Sequence, residues 1–121
     1  MSNIATEDQE QEALFQWAEF AACAMPELRL MYAIPNGGYR APRTAALLKR
    51  TGVKPGVPDI CLPVPRPPHP SLYIELKRVK GGVVSAYQKC WHYDLKAQGH
   101  KVVVAYGWEQ AREAIMEYMG V

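Results

Sequence analysis

The stretch Leu72-Tyr73-Ile74-Glu75-Leu76-Lys77-Arg78 decides how this chain is read. Successive side chains of a strand point to opposite faces, so Leu72, Ile74 and Leu76 share an apolar face while Tyr73, Glu75 and Lys77 line the other. A carboxylate and an ammonium therefore stand two residues apart on one side of a strand. Taken alone, an E-x-K pattern is the ordinary surface ion pair of an amphipathic strand, which contributes little to stability. Its meaning depends on what the fold sets beside it.

Upstream, Gly56-Val57-Pro58-Asp59 leads into a strand over 58–64, in which Ile60, Leu62 and Val64 face the core and Asp59 points the other way. Pro65-Arg66-Pro67-Pro68-His69-Pro70 is then a stiff loop, because proline cannot continue a sheet ladder, and a strand over 71–79 completes a hairpin. That hairpin brings Asp59 near Glu75 on the exposed face. Two carboxylates at close range raise each other's pKa unless a cation lies between them, so the pair calls for a bound metal or a nearby lysine. Hard oxygen donors suit Mg²⁺ or Mn²⁺, and the backbone carbonyl of Leu76, between Glu75 and Lys77, is a further oxygen.

The rest of the chain alternates helices and strands. Leu14, Trp17, Ala18, Ala21 and Met25 recur at helical spacing over 7–25, closed by Pro26. Leu28, Leu30, Tyr32 and Ile34 alternate with Arg29, Met31 and Ala33, which predicts a strand ending at Pro35-Asn36-Gly37-Gly38. A short helix is predicted over 41–51, with Pro42 in its first turn and Gly52 beyond its end; Arg43, Lys49 and Arg50 make its charged residues all basic. Ser85 opens a helix that runs to Gln98, and Ser85-Ala86-Tyr87-Gln88 has the form of a capping box. Tyr87, Trp91 and Leu95 on that helix are expected in the core. Residues 101–106 form a Val-rich fourth strand, and Trp108, Ala111, Ile115, Tyr118 and Met119 mark the apolar stripe of a last helix. His69, His92 and His100 have no mutual spacing that suggests ligation and read as structural or surface residues.

At 121 residues the chain is long enough for one core and not for two, so a single domain over 1–121 is expected. With 49% hydrophobic and 21% charged residues it is neither a disordered tail nor a fibre nor a coiled coil. No apolar run approaches the roughly 18 residues that span a bilayer, and the acidic N-terminus is unlike a signal peptide, so a cytoplasmic protein with no membrane partner is expected. Cys23, Cys61 and Cys90 lie far apart without a C-x-x-C pair and read as reduced, mostly buried thiols. The net charge of +2 conceals an uneven distribution: residues 1–27 carry six acids and no Lys or Arg, whereas residues 28–101 carry thirteen basic groups against three acids. A basic middle of this kind is the footprint of a polyanion partner, although scattered charge is more often a solvated face.

The run Gly56-Val57-Pro58-Asp59, fifteen intervening residues, and Glu75-Leu76-Lys77 resembles the PD-(D/E)XK nuclease signature. More narrowly, Pro35-Asn36-Gly37-Gly38, Gly52-Val53-x-Pro55-Gly56-Val57-Pro58-Asp59, Glu75-Leu76-Lys77 and Ser85-x-x-Gln88-Lys89 resemble the VRR-NUC branch in its small stand-alone phage and bacterial form. The resemblance implies an α/β, restriction-endonuclease-like core of order αβββαβ, here with a short helical insertion and a C-terminal helix. It implies a Mg²⁺- or Mn²⁺-dependent DNA endonuclease in which Asp59, Glu75 and the Leu76 carbonyl hold the metal. Lys77 would orient or activate water, or stabilise charge on the phosphate. The family's first-helix glutamate falls on Glu7, which fits E-x-x-x-Q with Gln11, or second on Glu10, which extends the Leu14 stripe. Gln88 is open between a contact to phosphate or water and pure capping.

Nucleic-acid contacts are expected from Arg40, Arg43, Lys49 and Arg50 and from Lys80 and Lys89. The small members of the branch resemble Holliday-junction resolvases, which implies branched DNA and a homodimer. The alternatives are a flap or other structure-specific nuclease, or a nucleic-acid-binding module whose carboxylates are merely structural.

Overall fold

Four strands meet in one mixed sheet whose spatial order follows the chain: Tyr32–Ala33 (β1), Ile60–Leu62 (β2), Leu72–Lys77 (β3) and Lys101–Tyr106 (β4). The computed structural model describes residues 3–35 and 41–121. β1, β2 and β3 run antiparallel as neighbours, and β4 joins β3 in parallel. The helices are Glu7–Ala21 (α1), Pro42–Arg50 (α2), Ala86–Ala97 (α3) and Trp108–Met119 (α4). A parallel pair cannot be joined by a tight turn, and α3 is the crossover that carries the chain from β3 to β4. The order is αβββαβ, with α2 inserted between β1 and β2 and α4 at the end.

The pleat sorts the two faces of the sheet as the sequence predicts. Ile60, Leu62, Leu72, Ile74, Leu76 and Ala105 are buried on one face, where Leu14, Ala18, Ala111, Ile115 and Met119 of α1 and α4 close over them. The register Ile60↔Ile74 and Leu62↔Leu72 aligns these apolar residues across the hairpin. A one-residue slip would turn all of them to the opposite face. The Tyr118 hydroxyl donates to the Val64 carbonyl at 2.6 Å and ties α4 to the end of the β2 segment.

Several local readings differ from the structure. The segment predicted as a strand from Leu28 is instead a 3₁₀ turn over Pro26–Leu30 followed by a two-residue strand. Proline at its start favours the turn, and Leu28 and Met31, three apart, are buried while Leu30 and Tyr32 are exposed. α1 ends at Ala21, short of the predicted Met25. β2 keeps only three residues, because Pro63 and Pro65 supply no backbone donors. Tyr87, expected in the core, is 68% exposed, and Trp91 and Leu95 are half-buried. Cys23 and Cys90 are exposed, and only Cys61 is buried. Among the described residues no helix is long and apolar enough to cross a membrane.

The turn between α2 and β2 is held against the first turn of α3 by a glycine. Gly56 has φ +89°, and a Cβ there would sit 2.8 Å from the backbone carbonyl carbon and oxygen of Tyr87. Gly52 has φ +102° but open space around it. Gly52→Ala carries the backbone strain alone, whereas Gly56→Ala adds a backbone clash. Both are expected to destabilise by at least about 1 kcal/mol, with Gly56→Ala clearly the worse in urea unfolding. Equal losses would mean that the approach to Tyr87 is not constrained.

Candidate active site

The polar face of the sheet receives side chains from three places. β3 supplies Glu75 and Lys77, the turn before β2 supplies Asp59, and α3 supplies Gln88 and His92. Continuing the register Ile60↔Ile74 by one residue sets Asp59 opposite Glu75. Asp59 Oδ2 accepts the backbone N–H of Leu76 at 2.7 Å, which fixes that carboxylate against β3. The expectation that this face is exposed is corrected: Glu75 is 0% exposed and Lys77 5%, with Asp59 half-buried. The pleat decides which face a residue takes, and α3, packed beside β4, decides that this one is covered.

α3 begins at a reciprocal cap, and the same glutamine reaches the site. Ser85 Oγ accepts the Gln88 N–H at 3.2 Å, while Gln88 Oε1 accepts the Ser85 N–H at 2.8 Å. That oxygen also accepts from Lys77 Nζ at 3.0 Å, and Gln88 Nε2 donates to Glu75 Oε2 at 3.2 Å. Gln88 therefore caps the helix and spans Lys77 and Glu75 at once. One turn further along α3, His92 Nε2 lies 3.1 Å from Glu75 Oε1. Spacing among the three histidines gives no sign of this contact. Gln88 and His92, four apart on a helix, carry that signal instead.

Burial is the largest influence on Glu75, followed by the hydrogen bond and charge of Asp59, and together they push its pKa up to about 9. Lys77 opposes that rise, and the charge of Glu7 adds to it. Burial also pushes His92 below the usual imidazole range, with Lys96 and Lys77 acting in the same direction. The charge of Asp59 opposes that shift, and the net directions for His92 and Glu75 favour a hydrogen bond between neutral groups over an ion pair.

The other predicted residues separate into groups. Glu10 is buried, and its Oε1 accepts the Trp108 N–H at 3.1 Å, where the cap position of α4 is Gly107 and has no side chain to serve the helix end. Glu7 is exposed in the first turn of α1, close enough for its charge to act on Glu75. Arg43, Lys49 and Arg50 are exposed along α2, which has no buried residue, and Lys80 and Lys89 are exposed near the ends of β3 and α3. Arg40 and the turn 36–39 lie outside the described residues. Gly82 lets the chain after β3 close over Lys77, since a Cβ there would come within 2.9 Å of the lysine Cβ. Among the described residues no three His, Cys, Asp or Glu side chains gather as a metal-binding group.

An αβββαβ core with two acidic groups and a lysine converging beneath its crossover helix defines a mixed α/β protein of the restriction-endonuclease-like class. A solved VRR-NUC domain protein has the same fold: it superposes with a TM-score of 0.78 at 24% identity, covering 98% of this chain and 91% of the other. The VRR-NUC domain matches residues 5–109, and the chain belongs to that nuclease family. No curated protein matches it.

The buried carboxyl gives a stability signature. A Glu75 pKa raised to about 9 means that the folded chain keeps a proton that the unfolded chain releases, so this group's contribution is whole below its unfolded value and is lost as pH climbs toward 9. With divalent ions chelated, Tm is expected to fall from about pH 5 to about pH 8, and Glu75→Gln to flatten that fall. Parallel profiles for the two proteins would show that Glu75 is not the group that titrates.

Proposed function

We propose that this chain is a divalent-cation-dependent endonuclease that hydrolyses DNA phosphodiester bonds, with branched DNA as its substrate and two copies acting together. The observation that carries the reading is the pairing of half-buried Asp59 with fully buried Glu75 beside Lys77. Burial and the neighbouring Asp59 favour the protonated form of Glu75 in the bare protein, an arrangement that a hard divalent cation relieves by replacing the proton. The donor set fits Mg²⁺ or Mn²⁺: Asp59, Glu75 and the Leu76 carbonyl would hold the ion, all through oxygen. When bound, it supplies a water of lowered pKa and neutralises charge on the phosphate.

The chain's own groups do the rest. Lys77, held by Gln88, stands beside the carboxyls, where its ammonium binds the non-bridging phosphate oxygens as negative charge develops on them. In the reaction a water oxygen bonds to phosphorus, one P–O ester bond breaks, and the departing alkoxide takes up a proton. Lys77 would also orient the attacking water. Glu7, exposed in the first turn of α1, adds negative charge that acts on Glu75 and would favour a bound cation. Arg43, Lys49 and Arg50 on α2, together with Arg40, Lys80 and Lys89, grip flanking phosphates. A chain of this size offers one such site, so paired incisions in a four-way junction take two chains related by a twofold axis.

Labelled four-way junction, flap and plain duplex, each with Mg²⁺ or Mn²⁺, test the reading. Cleavage is expected with the junction preferred, and abolished in Asp59→Asn with DNA binding retained. Lys77→Ala is expected to lose at least about two orders of magnitude in rate with little change in affinity, as for one transition-state contact. Lys80→Ala should act mainly on binding and its salt slope. DNA binding indifferent to Mg²⁺ without cleavage by the wild type would overturn the nuclease in favour of a binding module.

The α2 residues are tested separately by salt dependence. Each lost phosphate contact lowers the log-log salt slope by about 0.9 on duplex arms. Arg43→Ala/Arg50→Ala is thus expected to flatten the slope and to weaken all sequences alike, since phosphate contacts carry no sequence information. An unchanged slope would leave α2 as a solvated helix.

A further inference from the structure

His92 is the buried residue of α3, on a helix whose aromatic neighbours Tyr87 and Tyr93 are exposed. A crossover helix usually buries apolar side chains against its sheet. Here the buried position carries an imidazole, and its Nε2 is 3.1 Å from an oxygen of a carboxyl that is itself fully buried. The other Glu75 oxygen is taken by Gln88 at 3.2 Å, from one turn earlier on the same face of the same helix. The two oxygens of Glu75 are thus each met by a nitrogen of α3, and the start of α3 is itself fixed by the Ser85–Gln88 cap.

We infer that His92 is a positioning residue for Glu75: its Nε2–H, donated to Oε1, sets the rotation of the carboxyl plane, so that the carboxylate meets a divalent cation in one orientation. The inference rests on the nuclease reading for the identity of the cation, and on the geometry alone for the link between His92 and Glu75. Outer hydrogen-bond partners of ligating groups typically change metal affinity or activity by about 10–100-fold when removed.

Three variants separate this role from packing. His92→Phe keeps a ring and loses the donor; His92→Asn keeps an amide that is too short to reach Glu75; His92→Gln extends an amide N–H to the place of Nε2. Three quantities are measured on the whole protein: Mn²⁺ binding by calorimetry without DNA, single-turnover cleavage of a junction, and junction affinity in Ca²⁺. His92→Phe and His92→Asn are expected to lose about 10–100-fold in Mn²⁺ affinity and in cleavage rate, with junction affinity unchanged. His92→Gln is expected to recover most of both.

Wild-type Mn²⁺ binding in His92→Asn would overturn the inference, as would a His92→Gln no better than His92→Asn, since the loss would then come from packing. If His92→Phe fails to fold, the Asn and Gln pair still decides. A wild type that binds Mn²⁺ but cleaves no DNA would instead overturn the nuclease reading and leave the positioning role to be judged by calorimetry.

Discussion

A carboxyl group that water cannot reach is the constraint around which the polar half of this molecule is organised. Leaving an ionised group unpaired in the interior costs several kcal/mol, so a buried Glu75 exists only because neighbours meet both of its oxygens and because it can keep its proton. Those neighbours come from α3, whose first turn is held by the Ser85–Gln88 cap and pressed against the turn at Gly56. The bonds that start the helix are therefore the bonds that build the site. A disturbance of the cap reaches Lys77 and Glu75 through one glutamine side chain.

The two faces of the sheet divide the work of the chain. On one face Ile60, Leu62, Leu72, Ile74 and Leu76 meet α1 and α4 in an apolar layer that supplies most of the hydrophobic stabilisation. On the other, Asp59, Glu75, Lys77 and His92 occupy space that apolar side chains would fill more cheaply. β3 belongs to both layers, so the strand that carries the polar groups is anchored by its own alternate residues. A polar cluster on a rigid strand holds its geometry better than one on loops.

The readings that succeeded relied on local physics. Period-two alternation assigned both faces of β3, the prolines of 65–70 marked the hairpin, and Ser85 and Gln88 marked the start of α3. The failures arose where tertiary partners decide. Leu28 to Ile34 has strand-like alternation, but Pro26 starts a 3₁₀ turn that buries Leu28 and Met31 instead. Glu10 does face inward, as its place on the α1 stripe indicates, yet its partner is the amide of Trp108, 98 residues away. The contact between His92 and Glu75 spans 17 residues and two elements, so spacing among the histidines could not reveal it. Alternation likewise assigned Glu75 to the polar face but carried no information about what would cover that face.

α2 stands apart from both layers. It has a proline-started first turn, three exposed cations and no buried side chain, so the core is complete without it. Most substitutions in a protein are limited by the stability they remove. Along α2 that limit is absent, and changes of charge or shape there are paid for only in what the helix touches. The insertion is thus the part of the molecule whose surface can diverge between relatives while the fold and the Asp59–Glu75 pair stay fixed.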